Sequence, residues 1–324
     1  MSLRVFRGIP EWRADSGIAA RRTALAIGNF DGVHVGHQAI LRRVNEYSRA
    51  TGALGTAVTF DPHPLKVLRP EQAPALLSTL EQRLAWMEEL GLEAVLILPF
   101  TIELSQLSAE EFVAQMLAAT LRTERIFVGD NFRFGHRHAG NVALLESLSA
   151  RFHYSVEIVP PVVMGGEVIS STSVRSAVAE GRMDEAARLL GRPFALTGQV
   201  VSGTGTGSRE VVPTLNLAYE QEILPGRGVY ATETRAGGRW YRSATNVGVR
   251  PTFDGSRITV ESYLFDFSER CKSGALEVRF WKRLRGEQKF SSAEALKSQI
   301  DTDLRRARTF FRHLDRLRRS RQPA

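Results

Sequence analysis

The pattern of apolar residues changes once along this chain, and that change constrains the fold more than any other feature. Up to about residue 190, short apolar runs alternate with amphipathic stretches; past Gly191-Arg192-Pro193 the chain breaks into short strands and turns. In the first part, residues 23–28, 55–60, 93–99, 125–129 and 154–159 read as strands. A helix over residues 36–50 places Ile40, Leu41, Val44 and Tyr47 on one face, and Gly52 stands where a helix C-cap belongs. Ser78 with Glu81, and Ser108 with Glu111, have the spacing of capping boxes and predict two more helices. Strand–helix alternation predicts a parallel sheet covered by helices. In such sheets ligands bind beyond the carboxyl ends of the strands.

In the second part, strands are expected over residues 196–201, 228–235, 240–246, 258–267 and 275–280, with Gly237-Gly238 as a hairpin turn. A helix over residues 292–316 closes the chain, with Ser291 and Glu294 as its capping box. This half reads as a small antiparallel barrel with a terminal helix. The expected domains are residues 1–190 and 191–324, and a chain of 324 residues suits two cores.

Composition excludes several classes of protein. No apolar run approaches the roughly 18 residues of a membrane span. Arg4, Arg7, Glu11 and Arg13 interrupt any apolar signal core at the start. The single Cys271 excludes an internal disulfide and a multi-cysteine metal site. A cytoplasmic protein with no membrane partner is expected. The net charge of +8 is concentrated at residues 301–324, which hold eight arginines. They read first as a solvated helical face. A nucleic-acid partner is not expected, because only Phe310 and Phe311 interleave with them.

Chemistry gathers at two places. Gly28-Asn29-Phe30-Asp31-Gly32-Val33-His34-Val35-Gly36-His37 lies between a strand and a helix. Its glycines let backbone approach a ligand, and the free amides of a helix start attract phosphate. His34 and His37 share one face of the first helical turn. Two imidazoles beside a phosphate can stabilise charge that builds during in-line attack on phosphorus. In the second half, Gly203-Thr204-Gly205-Thr206-Gly207 can bend its amides around phosphate. Thr214 and Asn216 offer oxygen ligands to a hard cation. Glu261, in an otherwise apolar strand, is either a base for a substrate hydroxyl or a solvated outward residue.

The ten-residue run resembles the Gly-x-Phe-Asp-Gly-x-His-x-Gly-His signature of bacterial FAD synthetases, within the cytidylyltransferase-like nucleotidyltransferases. Three further segments match that family in order: Thr59-Phe60-Asp61-Pro62-His63-Pro64, then Val128 to Gly135, then Ile169 to Arg175. The resemblance implies a Rossmann-like parallel sheet. It implies that His34 and His37 contact the ATP phosphates, with Gly28, Asn29, Phe30, Asp31 and Gly36 close by. It assigns Ser171, Thr172 and Arg175 to the phosphates of ATP and pyrophosphate, and Asn131 to a nucleotide or flavin phosphate. Phe60 and Phe134 either flank the flavin ring or fill the core. His63 reads as a turn residue.

The second half resembles riboflavin kinase over nearly its whole length. Gly228-Val229-Tyr230, the run from Asn246 to Phe253, and Leu284-Arg285 with Glu287, Lys289 and Phe290 match, as do the glycine loop and Pro213-Thr214-Leu215-Asn216. The resemblance implies a six-stranded antiparallel barrel. It places Gly203, Gly205 and Gly207 at the ATP phosphates, Thr214 and Asn216 at Mg²⁺, Glu261 as general base and Arg250 near the flavin. Thr206 stands where the family has Arg, Glu210-Val211 where it has Leu-Gly, and Leu215 where it has Ala. The expected function is phosphorylation of riboflavin to FMN and adenylylation of FMN to FAD, with ATP as co-substrate and pyrophosphate released. Two other readings are an FAD synthetase with a lapsed kinase barrel, and a flavin-responsive nucleic-acid binder.

Overall fold

The structure, a computed structural model, describes residues 2–201, 214–252, 255–267 and 273–320. It comprises two compact units, Met1–Ser171 and Thr172–Ala324.

The first unit is built on six strands: β1 (Arg4–Arg7), β2 (Thr23–Ile27), β3 (Leu54–Asp61), β4 (Ala94–Pro99), β5 (Thr123–Gly129) and β6 (Ser155–Val159). All pairs are parallel, in the order β1-β4-β3-β2-β5-β6. β2 is buried along its whole length, as a parallel strand covered on both faces must be. From β2 the chain winds to one side through β3 and β4, then returns to the other side with β5 and β6. The reversal falls between β2 and β5, so the crevice beyond their carboxyl ends is the natural ligand position.

Helix α1 (Val35–Thr51) follows β2 as expected, burying Leu41 and Val44, and ends on Gly52 at φ 78°. Helix α2 (Leu80–Glu89) departs from expectation by one residue. Its capping box is Thr79 with Gln82, not Ser78 with Glu81. Ser108 and Glu111 do form a capping box, opening Ala109–Phe112. β1 carried no signal in the sequence because only Phe6 in it is buried.

In the second unit, helix α3 begins at the junction (Ser171–Ala179) and α4 (Met183–Leu190) buries Met183, Ala186, Leu189 and Leu190. α4 packs on two strands of a closed barrel. The barrel strands are β7 (Phe194–Val201), β8 (Leu215–Tyr219), β9 (Gly228–Ala236), β10 (Arg239–Thr252), β11 (Gly255–Leu264) and β12 (Ala275–Gly286). Their order is β7-β8-β11-β10-β9-β12, all antiparallel. Gly237 and Gly238, at φ 56° and 81°, make the hairpin turn between β9 and β10. Inside the barrel, the fully buried hydroxyls of Thr232, Thr234, Ser243, Thr245 and Ser262 bond to one another at 2.7–2.8 Å, which satisfies them without water.

Helix α5 (Ala293–Arg319) lies on the outside, where Ala307 and Phe311 pack with Ala231, Ala244 and Phe265. Asp303 is buried on it and pairs with Arg285 of β12 at 2.8 Å. The cap of α5 is Ser292, which accepts from the Ala295 N–H at 3.2 Å, so the box of Ser291 and Glu294 is absent. Ser292→Ala is expected to cost about 1 kcal/mol in thermal unfolding, and Ser291→Ala close to nothing. Among the described residues no helix is long and apolar enough to cross a membrane.

Candidate active sites

Beyond β2 the backbone turns sharply. Phe30, Gly32 and Val33 have φ of 48°, 75° and 39°, a conformation in which the two non-glycine residues are strained. The surroundings hold it in place. The Asp31 carboxylate accepts the Leu77 N–H at 2.9 and 3.2 Å and the Ser78 hydroxyl at 3.3 Å. Ser78 in turn accepts the Gly32 N–H at 3.0 Å. This is why Ser78 does not cap α2. Arg83 donates to the Asn29 carbonyl at 2.9 Å and to the Thr59 hydroxyl at 3.3 Å. Burial lowers the pKa of this guanidinium, against the opposing pull of Asp31 and Asp61. The Ser171 hydroxyl donates to the Asp31 carbonyl at 3.1 Å.

On that turn the imidazoles of His34 and His37 stack at 3.6 Å, 20° from parallel. His34 caps α1: its Nδ1 accepts the His37 N–H at 3.3 Å, so a neutral His34 carries its proton on Nε2. A side chain on Gly36 would begin 3.1 Å from the His34 ring, which would have to shift by a few tenths of an ångström to admit it. Phe30 is buried in the core, its ring edge-on to His37 at 5.3 Å. Phe30 and Asp31 therefore brace the histidines from below.

The Asn29 amide lies 3.0 Å from His63 Nε2. His63 Nδ1 accepts the Leu65 N–H at 3.2 Å, capping the short helix Pro64–Leu68. The Asn29 Nδ2 and the His63 Nε2 thus tie the two side chains together beside the turn. His63 is a turn residue, as its sequence position suggested, and it also orients Asn29. His63→Ala is expected to slow FAD formation by up to about a hundredfold through misplacement of Asn29, with FMN formation from riboflavin unchanged.

The remaining positions are more dispersed. Asn131 is exposed on the turn after β5. Phe60 is half-buried at the end of β3, edge-on to Phe100 at 5.7 Å. Phe134 is buried, stacked on Phe132 at 5.4 Å and beside Phe112, which is a core position. Gly28 sits directly against the Phe30 ring. Thr172 and Arg175 follow Ser171 along α3. Arg83 was missed in the sequence, although it falls with Leu80, Leu84 and Met87 on the apolar stripe of α2, where a charge needs a reason.

In the barrel, strand register assembles the second constellation. Asn216 of β8 is directly opposite Glu261 of β11, and Asn246 of β10 is opposite Glu261 on the other side. Directly opposed residues have Cβ atoms about 4.5–5.5 Å apart. Val260, Ser262 and Leu264 are buried, so Glu261, half-buried, faces outward from the barrel interior. Thr214 is exposed just before β8, and Leu215 pairs with the small Ser262. Gly203, Thr206, Gly205, Gly207, Glu210 and Val211 lie outside the described residues, as does the side chain of Arg250. Among the described residues, no group of three or more His, Cys, Asp or Glu is placed to hold a metal.

The parallel sheet with its histidine turn at the strand reversal, followed by a closed barrel with a carboxylate between two asparagines, defines a two-module transferase acting on phosphorylated substrates. Residues 18–173 match the FAD synthetase family and residues 190–311 the riboflavin kinase family. The bifunctional riboflavin kinase/FMN adenylyltransferase of Escherichia coli K12 is 36% identical over 288 residues, 89% of this chain and 92% of that protein. Its counterpart from Pseudomonas fluorescens is 37% identical over 307 residues, 94% of this chain and 97% of that protein. A crystal structure described as a macrolide-efflux protein from Streptococcus pneumoniae superposes with a TM-score of 0.83 at 27% identity, covering 95% of this chain and 99% of that one. The chain belongs to the bifunctional riboflavin kinase/FMN adenylyltransferase family. Both modules match, so the readings with a lapsed kinase or a nucleic-acid binder are not favoured.

Proposed function

We propose that residues 191–324 transfer the γ-phosphoryl group of ATP to the 5′-hydroxyl of riboflavin, and that residues 1–190 transfer AMP from ATP to the resulting FMN. The observation that carries this reading is the pairing of two separate constellations: stacked His34 and His37 on a helix start, and Glu261 set between Asn216 and Asn246.

In the first reaction, Glu261 takes the proton of the ribityl hydroxyl as its oxygen attacks the γ-phosphorus and ADP leaves. Thr214 and Asn216 supply only oxygen donors, which fits a hard cation such as Mg²⁺. When bound there, Mg²⁺ supplies charge neutralisation for the phosphates. In the second reaction, a phosphate oxygen of FMN attacks the α-phosphorus of ATP and pyrophosphate leaves. His34, through Nε2–H, and His37 donate to the oxygens that gain charge, with the amides at the start of α1. The family resemblance supports Ser171, Thr172 and Arg175 as phosphate ligands and Asn131 and Phe60 as flavin-side residues. Burial supports a core role for Phe134. We read the protein as acting in the cytoplasm.

The test is a chromatographic product assay with ATP and Mg²⁺, started from riboflavin in one tube and FMN in another. FMN and FAD from riboflavin, with FAD from FMN, are expected. FAD from FMN alone would mean a lapsed kinase, and no product from folded protein would overturn the reading.

A further inference from the structure

Neither reaction uses the arginine-rich end of the chain. On α5, Arg305, Arg308, Thr309 and Arg312 recur at helical spacing and form one stripe. This stripe faces the start of β10, at Arg239 to Arg242, and the turn at Phe265-Asp266 across a cleft of about 760 Å³. The cleft is set apart from the catalytic row of the barrel. Arg242 lies four residues before Asn246 on β10, about 13 Å along an extended strand.

Five guanidiniums line the cleft against one carboxylate, Asp266. Arg308 reaches Asp266 only at 3.9 Å, and Arg242 is paired with Asp315 at 2.5 Å. Arg239, Arg305 and Arg312 have no carboxylate partner among the described residues. So much like charge around one cleft is unfavourable unless an anion enters it. The aromatic rings help define which anion. Arg308 lies over Phe265 at 4.3 Å, Arg242 over Phe311 at 5.2 Å and Arg279 over Trp240 at 4.0 Å. Arg242 and Arg308 thus each cover a face of Phe311 and Phe265, and Trp240, 39% exposed, carries Arg279 on one face. The same stacking fixes the guanidinium plane of Arg308, and guanidinium forks suit the bidentate binding of phosphate oxygens.

We propose that this cleft binds a chain of two or three phosphates, as inorganic pyrophosphate or as the triphosphate of a nucleotide. The shared chemistry is a short, densely charged anion held by guanidinium forks, with the ring of any attached nucleoside left outside.

The test is calorimetric titration of the full-length protein with inorganic tripolyphosphate, pyrophosphate and AMP. Wild type is compared with the double variant Arg305→Gln/Arg312→Gln, which spares the ring-packed Arg242 and Arg308. Binding at the catalytic centres is common to both proteins, so the difference isolates the cleft. Tripolyphosphate is expected to bind the variant at least about tenfold more weakly at this site, with FMN and FAD formation at saturating ATP unchanged. Arg239→Gln repeats the test from the opposite wall and is expected to weaken the same binding event. Equal binding of pyrophosphate and tripolyphosphate identifies pyrophosphate as a sufficient occupant; tighter binding of tripolyphosphate points to a nucleotide's triphosphate. Either supports the proposal. Identical isotherms in wild type and both variants overturn it. So does AMP binding as tightly as tripolyphosphate, or an RNA oligonucleotide that binds the cleft when tripolyphosphate does not.

Discussion

His37→Ala is expected to lower FAD formation from FMN by about 10²–10³-fold and to leave FMN formation from riboflavin at its wild-type rate. The expectation follows from what the substitution removes and what it keeps. The His34 cap accepts from the backbone N–H of residue 37, which alanine retains, so α1 keeps its first turn. The turn before it stays braced by Asp31 on Leu77 and Ser78 and by Arg83 on Asn29. Only the ring stacked on His34 is lost. A donor aimed at charge that develops in the transition state affects kcat more than KM, so the ATP KM is expected to change little. Product chromatography from both substrates reads the two activities side by side. Loss of both in a folded protein would contradict two independent modules. Unchanged FAD formation would reduce the stacked pair to a structural role.

The sequence was most legible where structure is local. The β2–turn–α1 junction, the Gly52 cap, the box at Ser108 and the glycine hairpin all follow from neighbours within a few residues, and all are present. Failures occur where a distant contact decides. Ser78 has the right spacing for a cap, yet its hydroxyl is held by the turn at residues 31–32, and the cap passes to Thr79. Ser291 and Ser292 are equivalent by composition, and only backbone geometry selects the second. β1 exists because β4 offers it a parallel edge, although its own residues are mostly exposed. β8 was hidden within a stretch read for its ligands, and closure of the barrel makes it a strand. Arg83 was visible only as a charge in the wrong stripe of a helix; its meaning depends on the Asn29 carbonyl across the sheet.

Glu261→Gln is expected to lower FMN formation from riboflavin by about 10²–10⁴-fold and to leave FAD formation from added FMN intact. The sequence alone left two readings of Glu261, a proton acceptor or a solvated outward residue, and this substitution separates them. A solvated surface residue changes stability or rate little when replaced, within about 0.5 kcal/mol. Glu261 instead stands in a cross-strand row with Asn216 on one side and Asn246 on the other, and Thr214 lies just before the strand that carries Asn216. Glutamine keeps the size and the hydrogen-bonding reach of the side chain but accepts a proton poorly. The loss is therefore expected in kcat, with the riboflavin KM near its wild-type value. Asn216→Ala provides the contrast within the same row. Under the proposed roles it removes an oxygen ligand rather than a base, so its defect is expected to shrink as Mg²⁺ is raised, whereas that of Glu261→Gln is not. If both variants respond to Mg²⁺ alike, Glu261 acts through the cation rather than on the hydroxyl. If neither lowers FMN formation, phosphoryl transfer uses a different face of the barrel.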